Sequence, residues 1–354
     1  MFSIHVINIV KFIILFVSSI LIAFIFEPLL VHYLYKYKAW KKRSKKNAID
    51  GADIPIFQKF HSQTETSTPR MGGILIWGTV LIVSTLILVV SIFFPQVNFL
   101  SRSETWLPLF TLISASVLGL VDDVMTIRNS ETYIEGGLRL KVRLILISVI
   151  AIVGAWWFHF KLGWSSIYVP FYGNVEINGL YLVIFVVVML ATFSSGVVDG
   201  LDGLSAGVLA PIFGAFGVIA YARGLYDLTA FIIIIIGALI AYLWFNVPPA
   251  KFWMGDNGIL GLTSVLAVIA FLTNSIFLLP IIGMVLVIEV LSVIIQLLSK
   301  KLRNGKKVFL AAPIHHHFEA KGWSESQITM RFWIISAVSS GLGLILYFLS
   351  KFLY

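Results

Sequence analysis

Four groups of acids and imidazoles interrupt an otherwise apolar sequence: Asp122-Asp123, Asp199 with Asp202, Asp256, and the run His315-His316-His317. Each stands in its own gap between apolar stretches, and the gaps alternating with these carry almost no ionisable residues. Carboxylates gathered at a low-dielectric rim repel one another unless a cation joins them. The chain has no cysteine, so oxygen donors point to Mg2+, which is usually held by one or two carboxylates plus substrate phosphate. Imidazoles bind phosphate, ligate metals or move protons near neutral pH. These residue types predict metal-assisted chemistry on a phosphate-bearing substrate at a membrane surface. The absence of a GxxxxGK[ST] loop argues against a P-loop ATPase.

Each group also has a plainer reading. Asp122-Asp123 follow the apolar run Leu118-Gly119-Leu120-Val121 and could be a solvated helix end. An aspartate at a helix centre costs about 2.5–3.5 kcal/mol on insertion scales, so a paired acid so close to the bilayer suits a cation or a proton transfer. Asp199-Gly200-Leu201-Asp202-Gly203-Leu204 is a short connection. A simple tight turn needs the glycines but not both acids. Asp256 sits at a helix start and could merely cap it, yet Phe252 and Trp253 beside it offer faces for stacking on a base. The histidine run is internal and follows Pro313 in an apolar context, unlike an expression tag. Glu289 lies within an apolar span, where an acid marks function or pairs with a neighbour.

The elements that must position these groups are membrane spans. The chain is 59% hydrophobic and 12% charged, against about half and a quarter in soluble domains. Its apolar runs of roughly 17–25 residues fit helices crossing the hydrocarbon core, and no period-2 pattern of a β-barrel occurs. Ten spans are predicted, at 3–34, 72–94, 106–121, 142–160, 179–197, 204–221, 228–245, 258–273, 276–298 and 331–350, forming one domain over 1–354. The first is too long for a signal h-region and is expected to be retained. Segment 35–71 reads as partly mobile, and 161–178 as an outer interfacial hairpin or aromatic belt.

Odd gaps hold Lys36, Lys38, Lys41, Lys42, Arg43, Lys45, Lys46, Lys59, Arg70, Arg128, Arg139, Lys141, Arg143, Lys251, Lys300, Lys301, Arg303, Lys306, Lys307 and Lys321; even gaps hold Arg102, Lys161 and Arg223. The positive-inside rule then places the odd gaps, and with them the acids and histidines, in the cytoplasm and both termini outside. The net charge of +9 sits beside the spans, as suits topology and anionic lipid and not nucleic acid.

With these residues assembled, the chain resembles the phospho-N-acetylmuramoyl-pentapeptide-transferases, within the wider polyprenyl-phosphate sugar-1-phosphate transferases. The matching pieces are Thr68-Pro69-Arg70-Met71-Gly72-Gly73, Gly119 to Asp123, Gly137 to Lys141, Asp199 to Leu204, Asn246 to Gly258, Glu289 to Gln296, and Phe309 to Glu325. Ala312-Pro313-Ile314-His315-His316-His317-Phe318-Glu319 is the most specific.

The resemblance implies an all-α polytopic protein with ten transmembrane helices in the bacterial inner membrane, a cytoplasmic active site and a homodimer. It implies Mg2+-dependent transfer of phospho-MurNAc-pentapeptide from UDP-MurNAc-pentapeptide to undecaprenyl phosphate, forming lipid I and UMP. Carried over by motif, Asp256 is the metal ligand, and Asp122 is base or nucleophile, with Asp123 and His315 in the catalytic set. Lys141 would hold phosphate. Asp199, Gly200, Leu201, Asp202 and Asn246 would line the uridine side, with Gln296, His316 and His317 also contacting substrate. Trp253 stands where the family has a stacking phenylalanine. Direct attack by the lipid phosphate is favoured over a covalent step, though sequence leaves both open.

The chain departs from the family pattern at Thr64-Glu65-Thr66 (a lysine is missing), Arg70 (for threonine), Gly196 (for asparagine) and Asn257 (for threonine), while Arg128 stands near a displaced lysine. Arg128 is thus the candidate replacement for the lysine expected shortly after the aspartate pair, and Arg70 a candidate to restore lost positive charge. These departures bear on nucleotide affinity and leave the metal and histidine elements intact. Two other classes compete. A transferase for another UDP-amino sugar such as UDP-GlcNAc would show that preference in turnover. A transporter or flippase would show inverted repeats and a midplane path of acids, and neither is apparent.

Overall fold

The computed structural model describes residues 4–42, 66–128 and 137–352. The segment expected to be partly mobile falls largely on 43–65, outside the described residues, together with Arg43, Lys45, Lys46, Lys59, Thr64 and Glu65. The chain is helical, with α1 Ile4–Lys36, α2 Ile74–Val90, α3 Trp106–Arg128, α4 Leu140–Trp156, α5 Leu180–Ser194, α6 Leu204–Ala222 and α7 Tyr226–Asn246. Then come α8 Asp256–Leu272, α9 Met284–Leu302, the short α10 Ile314–Ala320, and α11 Glu325–Phe352. A helix lies over each of the ten predicted stretches. Seven (α1, α3, α4, α5, α6, α7 and α11) are long and apolar enough to cross a membrane, and α2 and α8 are shorter apolar helices. The protein is a polytopic, multi-pass membrane protein.

α8 forms the centre: every residue from Asn257 to Leu272 is buried, as expected of a helix that is apolar all round. Its closest partner is α3, because small residues let the two backbones approach. A Cβ at Gly119 would run into the Asp256 carbonyl, and one at Gly261 into Ser116 Oγ. Outer helices instead turn apolar side chains outward, such as Ile13 and Ile25 on α1 and Ile334 on α11. In water that surface would be a liability; against lipid it is the expected exterior.

The tract 161–178 contains a two-stranded antiparallel hairpin, β1 Ser166–Val169 and β2 Gly173–Glu176. Tyr168 ties it to the far ends of two helices. Its hydroxyl donates to the Ser350 carbonyl at the end of α11 (3.0 Å), and its N–H donates to Asn274 Oδ1 just beyond α8 (2.8 Å). The opposite ends of those helices, at Asp256 and Glu325, meet the other acids. Hairpin and acids therefore occupy opposite ends of the bundle.

Candidate active site

α3 continues past the predicted boundary at 121 to Arg128, so Asp122 and Asp123 are helical and both are buried. Gly255, at φ 73°, turns the chain into α8. The first N–H groups of a helix lack intrahelical partners, and here Asp123 supplies one from α3. Its carboxylate accepts from the N–H of Asp256 (3.2 Å), the N–H of Asn257 (3.0 Å) and Asn257 Nδ2 (2.8 Å). The Asn257 side chain also donates to the Met254 carbonyl and accepts from Trp77 Nε1. This departure from the family threonine is thus a hub of the α8 start. Arg70 Nε lies 3.5 Å from Asp123 Oδ1. Its segment is held beside 253–254 by Trp253 N–H donating to Pro69 O, and by Gly72 and Gly73 N–H donating to the Trp253 and Met254 carbonyls.

Asp122 faces the other way. Its Oδ1 accepts from Leu138 N–H (2.6 Å) and its Oδ2 from Arg143 Nη2 (2.9 Å). Arg143 Nη1 reaches Asp256 Oδ2 at 3.3 Å, so one guanidinium spans both carboxylates. The cation that α4 brings to the acids is therefore Arg143; Lys141, two residues earlier, is exposed. Side chains of Asp256 and Arg143 stay 22% and 19% exposed, which makes them the accessible edge of the cluster.

The Asp199–Gly203 turn joins α5 to α6. Asp199 Oδ1 accepts from Ser205 Oγ (2.7 Å). Burial pushes its carboxyl up to about 6; the Ser205 hydrogen bond and Arg70 oppose this, and Asp256 and Asp123 reinforce it. Asp202 has structural partners: Oδ1 accepts from Trp253 Nε1 and Oδ2 from Ala250 N–H, both at 2.8 Å. Its own N–H donates to Glu325 Oε1 (2.6 Å). Asn246 accepts from Gly203 N–H and donates to Phe252 O, each at 2.9 Å. These bonds fix the Trp253 indole, which is half-buried, beside the turn.

His315 on α10 is wholly buried, with Nδ1 2.9 Å from Glu289 Oε2 on α9. Its Nε2 has no hydrogen-bond partner and abuts Gly200, where a Cβ would collide with it. His316 Nδ1 pairs with Glu319 Oε2 at 2.9 Å. His317 Nδ1 accepts from Leu310 N–H (3.1 Å), and burial, then Lys321, holds its pKa below the usual imidazole range. Gln296 accepts from Val308 and Phe309 N–H and donates to Phe309 O, each at 3.0 Å, which secures the loop before α10. Leu201 is buried within the turn.

Asp122, Asp123, Asp256, Asp199, Gly200 and His315 thus form a continuous set, from Arg143 at one edge to Glu289 at the other. A model of the family described as Glycosyl transferase family 4 matches residues 105–274. The chain is 37% identical over 336 residues to a phospho-N-acetylmuramoyl-pentapeptide-transferase of Geobacillus sp., covering 93% of this chain and 95% of that protein. It is 36% identical over 334 residues to the like-named protein of Lacticaseibacillus paracasei (93% and 96%). With that of Dinoroseobacter shibae the identity is 34% over 348 residues (93% and 91%). The chain belongs to the phospho-N-acetylmuramoyl-pentapeptide-transferase family. It is a transferase of peptidoglycan synthesis.

Within this family setting, sequence reasoning had not assigned Arg143, Asn257, Ser205 or Glu325 to the site. A signal for Arg143 was its place at the start of an apolar span, where an arginine needs a partner. Among the described residues no group of three or more acids or imidazoles is arranged to hold a metal ion. The carboxyls of Asp122 and Asp256, brought together by Arg143, still fit Mg2+, which takes one or two carboxylates and fills its remaining positions with water and phosphate.

Proposed function

We propose that the protein transfers phospho-MurNAc-pentapeptide from UDP-MurNAc-pentapeptide to undecaprenyl phosphate, producing lipid I and UMP. What carries the reading is the bridging of Asp122 and Asp256 by Arg143, set beside the Asp199–Asp202 turn and the buried His315 Nε2.

In this reading an oxygen of the lipid phosphate attacks the β-phosphorus of the nucleotide sugar. A new P–O–P linkage forms, and the bond from the β-phosphorus to the oxygen bridging the α-phosphate breaks. UMP leaves with that oxygen. Asp122 takes the last proton from a monoanionic lipid phosphate. Arg143 and, once its Nε2 is protonated, His315 face phosphate oxygens, and the pinned Trp253 stacks on uracil beside Asp199 and Asn246. Asp256, with Asp122 beside it, would hold Mg2+, which supplies positive charge against the pyrophosphate. Positioning and charge neutralisation are what phosphoryl transfer chiefly requires.

The same reading includes a homodimer in the bacterial plasma membrane, ten crossings, outer termini and a cytoplasmic site; the charge bias between alternate gaps supports that orientation. Detergent-solubilised protein should release UMP from UDP-MurNAc-pentapeptide only when both undecaprenyl phosphate and Mg2+ are present. Preferred turnover of UDP-GlcNAc would move the assignment to another UDP-amino sugar, and no release by folded protein would refute it.

A further inference from the structure

The connection from α9 to α10 carries Lys300, Lys301, Arg303, Lys306 and Lys307 within eight positions, with no acid between Glu289 and Glu319. It is a folded hairpin. Asn304 and Gly305 turn the chain at positive φ (53° and 83°), Gly305 N–H donates to Lys300 O (2.8 Å), and Ser299 Oγ donates to Lys306 O (2.8 Å). Gln296 fixes the returning strand at Val308 and Phe309. The backbone that carries the cations is thus held in place, with Lys301, Arg303, Lys306 and Lys307 exposed.

Apolar side chains are exposed beside them: Leu302 is 76% exposed, Val308 47% and Leu310 49%. On α9 the exposed residues Leu291, Ile295, Leu298 and Leu302 follow the helical period, so a lipid-facing stripe runs directly into the hairpin. Cations fixed where such a stripe ends stand at headgroup depth. A merely solvated basic loop needs neither the internal hydrogen bonds nor the exposed leucines. A nucleic acid or acidic protein would leave those leucines uncovered.

We propose that the hairpin 299–310 seats the headgroups of anionic bilayer phospholipids, with Lys301, Lys306 and Lys307 on phosphate and Leu302, Val308 and Leu310 in the acyl boundary. Clusters of bases flanking a membrane helix bind such lipids with about a fivefold gain per base.

The test places the full chain in phosphatidylcholine nanodiscs and measures its association with spin-labelled phosphatidylglycerol. Wild type should enrich phosphatidylglycerol over spin-labelled phosphatidylcholine, and molar salt should abolish that enrichment. The triple variant Lys301→Gln, Lys306→Gln, Lys307→Gln should lose on the order of tenfold or more of the preference with an unchanged melting temperature. Equal association of both lipids with wild type overturns the proposal, whether or not the variant folds, and so does a folded variant that keeps the preference. If stoichiometric undecaprenyl phosphate displaces the phosphatidylglycerol, the hairpin serves the polyprenyl headgroup and the proposal also fails. None of these readings depends on catalytic turnover.

Discussion

His315 and Glu289 form a wholly buried pair, 2.9 Å from Nδ1 to Oε2, across the α9–α10 junction. With the carboxylate accepting, Nδ1 carries the proton and the ring presents Nε2 to Gly200. Glu289 is a positioning residue in this arrangement. Glu289→Gln keeps an acceptor for Nδ1–H and should retain most turnover. Glu289→Ala frees the ring and should lower kcat about 10²-fold, with little change in KM for the nucleotide. Equal kcat in the two variants contradicts the assignment.

Gly200 is the space that His315 requires. A methyl there collides with Nε2, and the surrounding turn is fixed by Asp199–Ser205 and Asn246–Gly203 bonds. Gly200→Ala should therefore cost on the order of 10²-fold in turnover through a displaced imidazole. Wild-type rates would show that Nε2 does not work in that direction. Gly119→Ala is expected to act on stability instead, because the methyl meets the Asp256 backbone; overpacking of this kind typically costs about 1–3 kcal/mol.

Arg143 spans Asp122 and Asp256, at 2.9 and 3.3 Å. Arg143→Ala should reduce kcat/KM by about 10²-fold, the scale of losing one aimed electrostatic group. Arg143→Lys should recover part of this, since a point charge cannot bridge two carboxylates as a planar fork does. Lys141→Gln, changing an exposed side chain, should leave kcat within a few-fold. Kinetics in which Lys141 matters and Arg143 does not would reverse these roles.

Asp199 makes an opposite demand on stability and on activity. Its carboxyl, lifted to about 6 chiefly by burial, favours the folded state when protonated. That stability is fully present below the ordinary aspartate value near 4 and is lost as pH rises through about 6. Asp199→Asn should therefore stabilise the protein by roughly 1–3 kcal/mol above pH 6 and by nothing below about pH 4. If the ionised form serves the nucleotide, wild-type kcat/KM should fall with a one-proton limb as pH drops through about 6. Thermal unfolding and pH–rate profiles of both proteins check this. A pH-independent difference in melting temperature contradicts it.

Much of the scaffold was legible in the sequence because lipid imposes long apolar runs, and the helices lie where those runs fall. The acids were legible because charge is scarce in such a chain. Partners at long sequence separation were not. Nothing local to Asp123 announces that it caps a helix 133 residues away, and Glu289 meets His315 across 26 residues. That Arg143 meets the acids while Lys141 is exposed follows from helical phase: two positions on α4 turn a side chain by about 200°, to the opposite face. The structural side of Asp202 and Gln296 was not legible: their polar atoms hold Trp253, Ala250 and the loop before α10. The Asn257 departure became intelligible only with Trp77 and Asp123 placed around it.

The central claim is that Asp256, beside Asp122, organises pyrophosphate exchange between a nucleotide sugar and a lipid phosphate. The most direct measurement is formation of lipid-linked product from labelled UDP-MurNAc-pentapeptide in vesicles containing undecaprenyl phosphate and Mg2+, comparing wild type with Asp256→Ala. The account predicts stoichiometric lipid I and UMP from wild type, loss of both after chelation of the metal, and no product from a variant that melts like wild type. Product formation by Asp256→Ala at the wild-type rate would contradict it.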